Sequence, residues 1–545
     1  MSPRRTIANV QRQTQLESTG TSIQSGGWLK GRRPTALWIV AYLAFSTFLV
    51  VAAWPHLANF PPVSADEVWI MSASFKLATE GVLGSDLFAG LYGADRHYFL
   101  ALPVHHLVQA AFFRAFGPGI LQMRVPSLAA AVVVLCAVGW LAYKWGGLGY
   151  SMTTGILLLF WRSNLVAADS RPPLLALAQS GRYDVMVLCL WWSVILMINR
   201  HLDRPRRTTA AITGSLAGIT VLTQFYGAGV LLCCVAAFLW ASRERSAGRL
   251  YARECAIGVA IPILIYGAYI AAHRTDFIGQ AALFSSRVDF YDPRFYLTNL
   301  LNEWRRFAWL RYQSGDVVGA WSVILAIPLA FLTAARLFRL GNSLALISML
   351  GAFLSLALLD SLKARIYASL LLPVLCLGLA AALTPTLFVL RGRPWIGVRA
   401  VAGWALLMWI VIDGLGGYRF VSDEGPRVSP YADVGHRIAA SIDDRIPVLG
   451  SQRWWWALHE RPYRSLNAQW EIWEVEQRAR HEPDFSRMLE RFGGAYLILD
   501  NDTRGDLTRV SPELRQQVNG ILVARAARVA AWRDPTYGLI EIYRF

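Results

Sequence analysis

Charge is scarce in this sequence. Only 16% of its 545 residues are Asp, Glu, Lys or Arg, where soluble chains average about 25%. Apolar residues make up 55% of the chain, in long uninterrupted runs that a water-soluble core does not need. That excludes an ordinary soluble globular protein. Cysteine is also sparse. Cys136, Cys189, Cys233, Cys234, Cys255 and Cys376 all lie inside apolar runs with no CxxC spacing. This excludes a disulfide framework or a cysteine metal site and leaves them as small buried apolar residues. No Cys follows Asp413, so cysteine usage does not reveal the compartment. No heptad, collagenous or solenoid repeat is present. No basic stripe interleaved with aromatics is present either, so the net charge of +17 does not mark a nucleic-acid partner.

The basic residues stand instead in short loops between apolar runs, where Arg and Lys fix topology and meet anionic lipid. The 22 Trp suit the level at which a helix passes from lipid to headgroup. A membrane helix needs roughly 20 mostly apolar residues. That rule predicts about eleven spans, near 35–54, 125–143, 148–166, 184–199, 208–223, 225–241, 255–272, 317–335, 343–359, 366–390 and 399–413. The first is too long and too far from the start for a cleaved signal peptide and reads as a signal anchor. Residues 1–34, rich in Ser, Thr, Gln and Arg, read as a disordered cytoplasmic tail.

Loop charge alternates with this count. The tail, the turn at Lys144, Arg200 to Arg207, Arg243 to Arg253, Arg336 to Arg339 and Arg391 to Arg399 are basic and short, and are expected on the cytoplasmic side. Segments 55–124, 167–183, 273–316, 360–365 and everything after 413 are acidic or mixed and are expected outside. Within the first outer loop, 55–124, the stretch Tyr98 to Phe116 is expected to form an interfacial helix, because a full span there would invert every later loop. The polar segment 414–545 has strand-like runs at Pro447 to Gly450, Ala495 to Asp500 and Gly538 to Tyr543, with helical stretches at Val434 to Ile442 and Asp484 to Phe492. It reads as a soluble extracytoplasmic α/β domain. The expected fold class is therefore an all-α polytopic membrane bundle, residues 35–413, with that domain at its C-terminal end.

Ionisable residues in or beside spans are costly and default to functional candidates. Ser64-Ala65-Asp66-Glu67 follows the first span, and two adjacent carboxylates can take a proton from a hydroxyl or hold a metal. Its bland reading is an ordinary surface loop. Ser180-Gly181-Arg182-Tyr183-Asp184 opens the fourth span, where Asp184 also suits the helix dipole. Lys363-Ala364-Arg365-Ile366-Tyr367 occupies a tight outer turn. Cations there can merely snorkel, yet two in a short outer loop suggest a specific anion such as phosphate. Asp95-Arg96-His97 and His105-His106 complete the set. Adjacent histidines diverge on a helix, which disfavours a two-His metal site, and Arg124 at the start of the second span suits an interfacial anchor. Outer carboxylates with outer cations beside lipid fit attack by a hydroxyl or amine on a sugar carried by a polyprenyl phosphate, with cations stabilising the departing phosphate.

These motifs, in this order, resemble the GT-C glycosyltransferases, specifically the superfamily of protein O-mannosyltransferases and lipid A aminoarabinose transferases. The matching features span roughly residues 35–545. They are Ser64–Glu67, Gly117 followed by Arg124-Val125-Pro126-Ser127, Gly181–Asp184, Lys363–Tyr367 followed by Pro373, and Tyr496–Asp500. The resemblance implies a polyprenyl-phosphate sugar donor, an extracytoplasmic acceptor (glycan, lipid or protein) and a single, inverting displacement. It implies Asp66 as the catalytic carboxylate with Glu67 beside it, Asp184 in a second active-site loop, and Arg182, Lys363, Arg365 and Tyr367 as substrate-binding residues. No cofactor is certain; a divalent metal ion, if one takes part, is expected on Asp66 and Asp184. The aminoarabinose transferases carry a Lys-Pro element in the first outer loop, whereas this chain reads His97 to Pro103 without Lys, which leaves Arg96 and His97 as its substitutes. The 273–316 loop is too short for the central lumenal domain of eukaryotic protein mannosyltransferases. The competing reading is a transporter or flippase of lipid-linked sugars. It predicts inverted repeats and midplane charges, and the sequence shows neither.

Overall fold

In lipid every backbone N–H and C=O must find a partner inside the chain, which makes helices the default for long apolar runs. The computed structural model describes residues 32–163, 171–244, 248–284, 292–306, 328, 343–388, 394–466, 468–469, 495–510 and 512–545. Among the described residues, six helices are long and apolar enough to cross a membrane: Thr35–His56, Ile120–Phe160, Asp184–Asp203, Arg249–Ala272, Arg365–Thr384 and Val398–Ala439. Phe225–Leu239 and Leu346–Leu359 are shorter apolar helices. The chain is an integral membrane protein. The span expected at 317–335 (apart from residue 328), the basic turn at Arg336 to Arg339, most of the tail and the helical stretch at Asp484 to Phe492 lie outside the described residues.

Two compact units divide at Ala44. In the first, Trp38 stacks on Tyr42 with ring centroids 4.7 Å apart. The second unit is Phe45–Phe545.

The runs expected at 125–143 and 148–166 form the helical segment Ile120–Phe160, interrupted at Gly147 (φ 80°, ψ −173°). The Ser151 hydroxyl donates to the Gly139 carbonyl at 2.7 Å. Twelve residues of straight helix would separate those groups by about 18 Å, so the chain reverses at Gly147 and the two runs return as neighbours. The stretch around Tyr98 to Phe116 is a helix of 14 residues, Pro103–Phe116, about 21 Å long and shorter than a bilayer core. The run at 208–223 is likewise short, Arg207–Val221. It packs closely on Gly248–Ala272. A Cβ on Gly214 would lie 2.0 Å from the Cys255 carbonyl oxygen, and one on Gly258 would lie 2.2 Å from that of Ala211. Small residues let two membrane helices approach backbone to backbone where no hydrophobic drive exists.

The boundary expected at 413 falls inside the helix Pro394–Glu424. Asp413 is paired with Arg162 at 2.9 Å, which neutralises its charge where the helix continues past the apolar run. Beyond it a five-stranded mixed sheet forms in the order β2-β1-β3-β5-β4. The strands are β1 (Val448–Gly450), β2 (Tyr463–Ser465), β3 (Tyr496–Leu499), β4 (Ala527–Asp534) and β5 (Gly538–Arg544). β1 pairs parallel with β2 and β3, and β5 pairs antiparallel with β3 and β4. This sheet does not stand apart. Val63, Val68, Leu87, Phe88 and Tyr98 of the first loop share one buried core with Trp454, Tyr463, Ile498 and Ile540. The first loop is therefore held rigidly between the sheet and the helices, and that core positions the site.

The close helix pair yields a test. Gly214→Leu is expected to lower the thermal midpoint in detergent, by about 1–3 kcal/mol of overpacking. Gly267→Leu, on the same partner helix with nothing within 4 Å of its Cβ position, is expected to leave it unchanged.

Candidate active site

The Ser-Ala-Asp-Glu motif is first a helix start. Ser64 caps the helix Ala65–Thr79, its hydroxyl accepting from the Glu67 N–H, while the Glu67 carboxylate accepts from the Ser64 N–H. This reciprocal capping turns Glu67 inward. There it meets Arg124 in a two-pronged pair, Nε to Oε1 and Nη2 to Oε2, both 2.8 Å. It also accepts from the Gly181 N–H at 2.7 Å. Glu67 and Arg124 are both buried. Burial alone would raise the Glu67 carboxyl, but the Arg124 charge, its hydrogen bonds and the Gly181 and Ser64 N–H groups outweigh it and hold the group below the ordinary carboxylate value. With both oxygens engaged by Arg124 and the Gly181 and Ser64 N–H groups, Glu67 is turned inward, away from Asp66, rather than standing as a free carboxylate. Arg124, expected as an interfacial anchor, is buried and serves as the counter-ion.

Gly181 is held from both sides. Its carbonyl accepts from Gln109 Nε2 at 3.0 Å and lies 3.2 Å from His105 Nε2. A Cβ there would sit 2.7 Å from the Met123 side chain. Burial drives His105 down to about 4, against the Gly181 carbonyl and aided by the Arg182 charge, and drives His106 down to about 3. Both rings are neutral at ordinary pH, so His105 donates through Nε2 to Gly181. His106 turns the other way, its Nδ1 3.1 Å from the Ser74 hydroxyl.

Pinned at Gly181, the next three residues deliver the site. Arg182 pairs with Asp66 through Nη1 and with Asp184 through Nε at 2.9 Å. Asp184 is buried, and its second oxygen accepts from the Tyr226 hydroxyl at 2.8 Å. The Asp66 side chain is 56% exposed, which leaves it the accessible member. The Tyr183 and Tyr367 hydroxyls are 3.4 Å apart, and the Tyr226 and Tyr367 rings are 4.9 Å apart. Asp66, Arg182 with Asp184, and Tyr367, drawn from three distant stretches of sequence, thus meet at one place. Two carboxylates share one guanidinium there, beside three tyrosines.

The Lys-Ala-Arg turn is divided in its roles. Lys363 is buried in the left-handed region (φ 51°). Its ammonium pairs with Glu303 at 2.7 Å and donates to the Ala357 carbonyl at 2.9 Å. Arg306 binds the same Glu303 (2.6 Å) and Asp360 (2.7 Å) and donates to the Ala364 carbonyl at 2.8 Å. Two cations and two carboxylates close this group on itself. Burial pulls Lys363 below its ordinary value, although Glu303 opposes the shift. Lys363, expected to hold phosphate, is committed to the turn instead. Arg365 is half-buried and opens the 3-10 turn Arg365–Leu371 that carries Tyr367. Arg96 is exposed. His97 lies elsewhere, its Nδ1 2.7 Å from Asp276 and its ring stacked on His273 at 3.5 Å.

Sequence reasoning missed Arg124, Tyr226, Glu303 and Arg306 as parts of this assembly. Arg124 reaches Glu67, Tyr226 reaches Asp184, Glu303 reaches Lys363 and Arg306 reaches Asp360 across tens of residues, and only Arg124 carried a local signal, as a buriable charge opening a span.

The geometry separates Glu67 from Asp66. Glu67→Gln strands a buried guanidinium, which costs about 3–5 kcal/mol, and is expected to lower the thermal midpoint and folded yield. Asp66→Asn, half in water, is expected to change neither. Because the folded-state value of Glu67 lies below 4.5, its stabilisation is fully present above that pH and fades as pH falls through the folded value. Melting scanned downward from about pH 6 is therefore expected to cost wild type more than Glu67→Gln.

No protein-family model matches the chain, and no curated protein does. Solved structures do match. Crystal structures of ArnT from Cupriavidus metallidurans cover 93% of this chain and 98% of theirs. In the apo state the TM-score is 0.57 at 15% identity, and bound to undecaprenyl phosphate it is 0.55 at 16% identity. The oligosaccharyltransferase of Archaeoglobus fulgidus, in complex with Zn and sulfate, covers 92% of this chain and 72% of its own, with a TM-score of 0.56 at 11% identity. At these identities the likeness establishes architecture alone: the chain shares the fold of these structures.

Proposed function

We propose that the chain is a membrane glycosyltransferase that moves a sugar from a polyprenyl-phosphate donor to an extracytoplasmic acceptor. The observation that carries the reading is the Asp66–Arg182–Asp184 arrangement, set in a fold shared with an ArnT bound to undecaprenyl phosphate. The reading adopts the eleven-span topology with the sheet on the outer side. The acceptor is a glycan, lipid or protein.

In this reading the acceptor hydroxyl oxygen attacks the anomeric carbon as the bond from that carbon to the phosphate oxygen breaks. The bonding pair leaves on the phosphate, the hydroxyl proton passes to Asp66, and the anomeric configuration inverts. Arg182 and Arg365 receive the phosphate charge that grows as the bond breaks. Tyr367 and Tyr183 line the same mouth. Asp184 and Tyr226 hold the Arg182 guanidinium in place, and Glu67, Arg124 and Gly181 fix the two loops. Donor phosphate and Asp66 compete for one guanidinium, so donor binding releases Asp66 to act as base. A divalent ion does not fit the residues as they stand. Arg182 takes the place between the two carboxylates, and no cluster of three or more His, Cys, Asp or Glu suited to a metal occurs among the described residues.

A transporter of the same lipid would need no base. Asp66→Asn is expected to abolish sugar transfer to acceptor in proteoliposomes while keeping or tightening binding of the donor lipid. Retained transfer in that variant would remove the base. Arg365→Ala is expected to raise KM for the donor by roughly tenfold or more, the scale of one charge-assisted phosphate contact. An unchanged KM would remove its phosphate role.

A further inference from the structure

The helix Asp184–Asp203 has a second functional end. Arg200 lies about 24 Å along it from Asp184, too far to touch the site just described. Around it is a cavity of about 630 Å³, whose lining includes Lys144, Arg200, Arg204 and Arg206 against a single carboxylate, Asp203. A helix C-terminus favours cations, and that accounts for Arg200 on its own. It does not account for Lys144 and Arg206, which come from other segments to the same hollow. The cavity walls are of the opposite character. Trp140, Leu196 and Met197, from apolar membrane helices, line it too. Its form is held by specific contacts: Lys144 lies over the Trp140 ring at 5.6 Å, and Trp145 Nε1 donates to Asn199 Oδ1 at 3.2 Å.

A free phosphate would satisfy the cations but would have no use for an apolar wall inside the bundle. A neutral lipid would use the wall and leave four cations facing one acid. A phosphodiester headgroup with its acyl chains against Leu196 and Met197 answers both halves. The geometry points to a binding site for an anionic glycerophospholipid at the end of the bundle opposite Asp184. Basic hollows between membrane helices are known as sites for such headgroups. The site is independent of the sugar-transfer reading, and loss of either leaves the other intact.

Native mass spectrometry of the full chain, extracted in mild detergent and offered phosphatidylglycerol and phosphatidylcholine at equal concentration, tests it. Wild type is expected to retain phosphatidylglycerol in preference to phosphatidylcholine. The double variant Arg200→Gln with Arg204→Gln is expected to lose about tenfold or more of that preference. Arg419→Gln, an exposed cation elsewhere, is expected to leave it unchanged. If the double variant does not fold, Lys144→Gln and Arg206→Gln separately carry the same expectation. No preference in wild type overturns the proposal, as does an equal loss in Arg419→Gln. Displacement of phosphatidylglycerol by millimolar inorganic phosphate overturns it in favour of a free-phosphate site.

Discussion

The buried pair of Glu67 and Arg124 is the constraint on which the candidate site depends. It joins the start of the helix Ala65–Thr79 to the helix that begins at Ile120, and through the Gly181 N–H it reaches the loop that presents Arg182 and Asp184. A pair buried this deeply is a poor source of net stability, since desolvation offsets much of the attraction. Its value lies in the alternative. Any shift of one segment would strand a charge in an apolar interior, so the three segments keep a single register. Asp66 needs no packing of its own, because its neighbour Glu67 is fixed. Adjacent residues on a helix point in different directions, so one acid faces the interior and the other faces water.

A second closed group does the same for the far turn. Glu303, Arg306, Asp360 and Lys363 balance one another, and Arg306 reaches the backbone of Ala364. The left-handed Lys363 would be costly without that support. The turn it shapes brings Tyr367 to Tyr183 and Tyr226. Both networks therefore act on geometry, and the groups left for chemistry are the ones they position.

Much of the fold was legible because apolar runs of about twenty residues have few alternatives in a membrane. The runs at 184–199, 343–359 and 366–390 return as helices near the positions expected. The central strands β1 and β3 were legible for a related reason: they are buried throughout. The edge strands β2 and β4 were not. β4 is largely exposed, so it carries little of the apolar pattern that announces a strand. At the candidate site, the motifs singled out stretches that the fold brings together at Asp66, Arg182, Asp184 and Tyr367, but assigned charge without its partners. Lys363 looked available because Glu303 is 60 residues away in sequence, and Glu67 looked catalytic because Arg124 is 57 away. Pairings of that range are set by packing, which a single sequence does not display.

The two ends of the Asp184–Asp203 helix then differ in a way the sequence only hinted at. At the Asp184 end, Arg182, Arg306 and Lys363 are each matched to carboxylates, so a donor phosphate must displace an internal partner to be held. At the Arg200 end, four cations face one acid around an open hollow, and an anion binds without displacing anything. In the proposed reaction, the first arrangement couples donor binding to the release of Asp66. The second would let the proposed lipid bind without that exchange. A single helix, acidic at its start and basic at its end as its dipole favours, carries both behaviours because burial and pairing, rather than charge count, decide which cations are available.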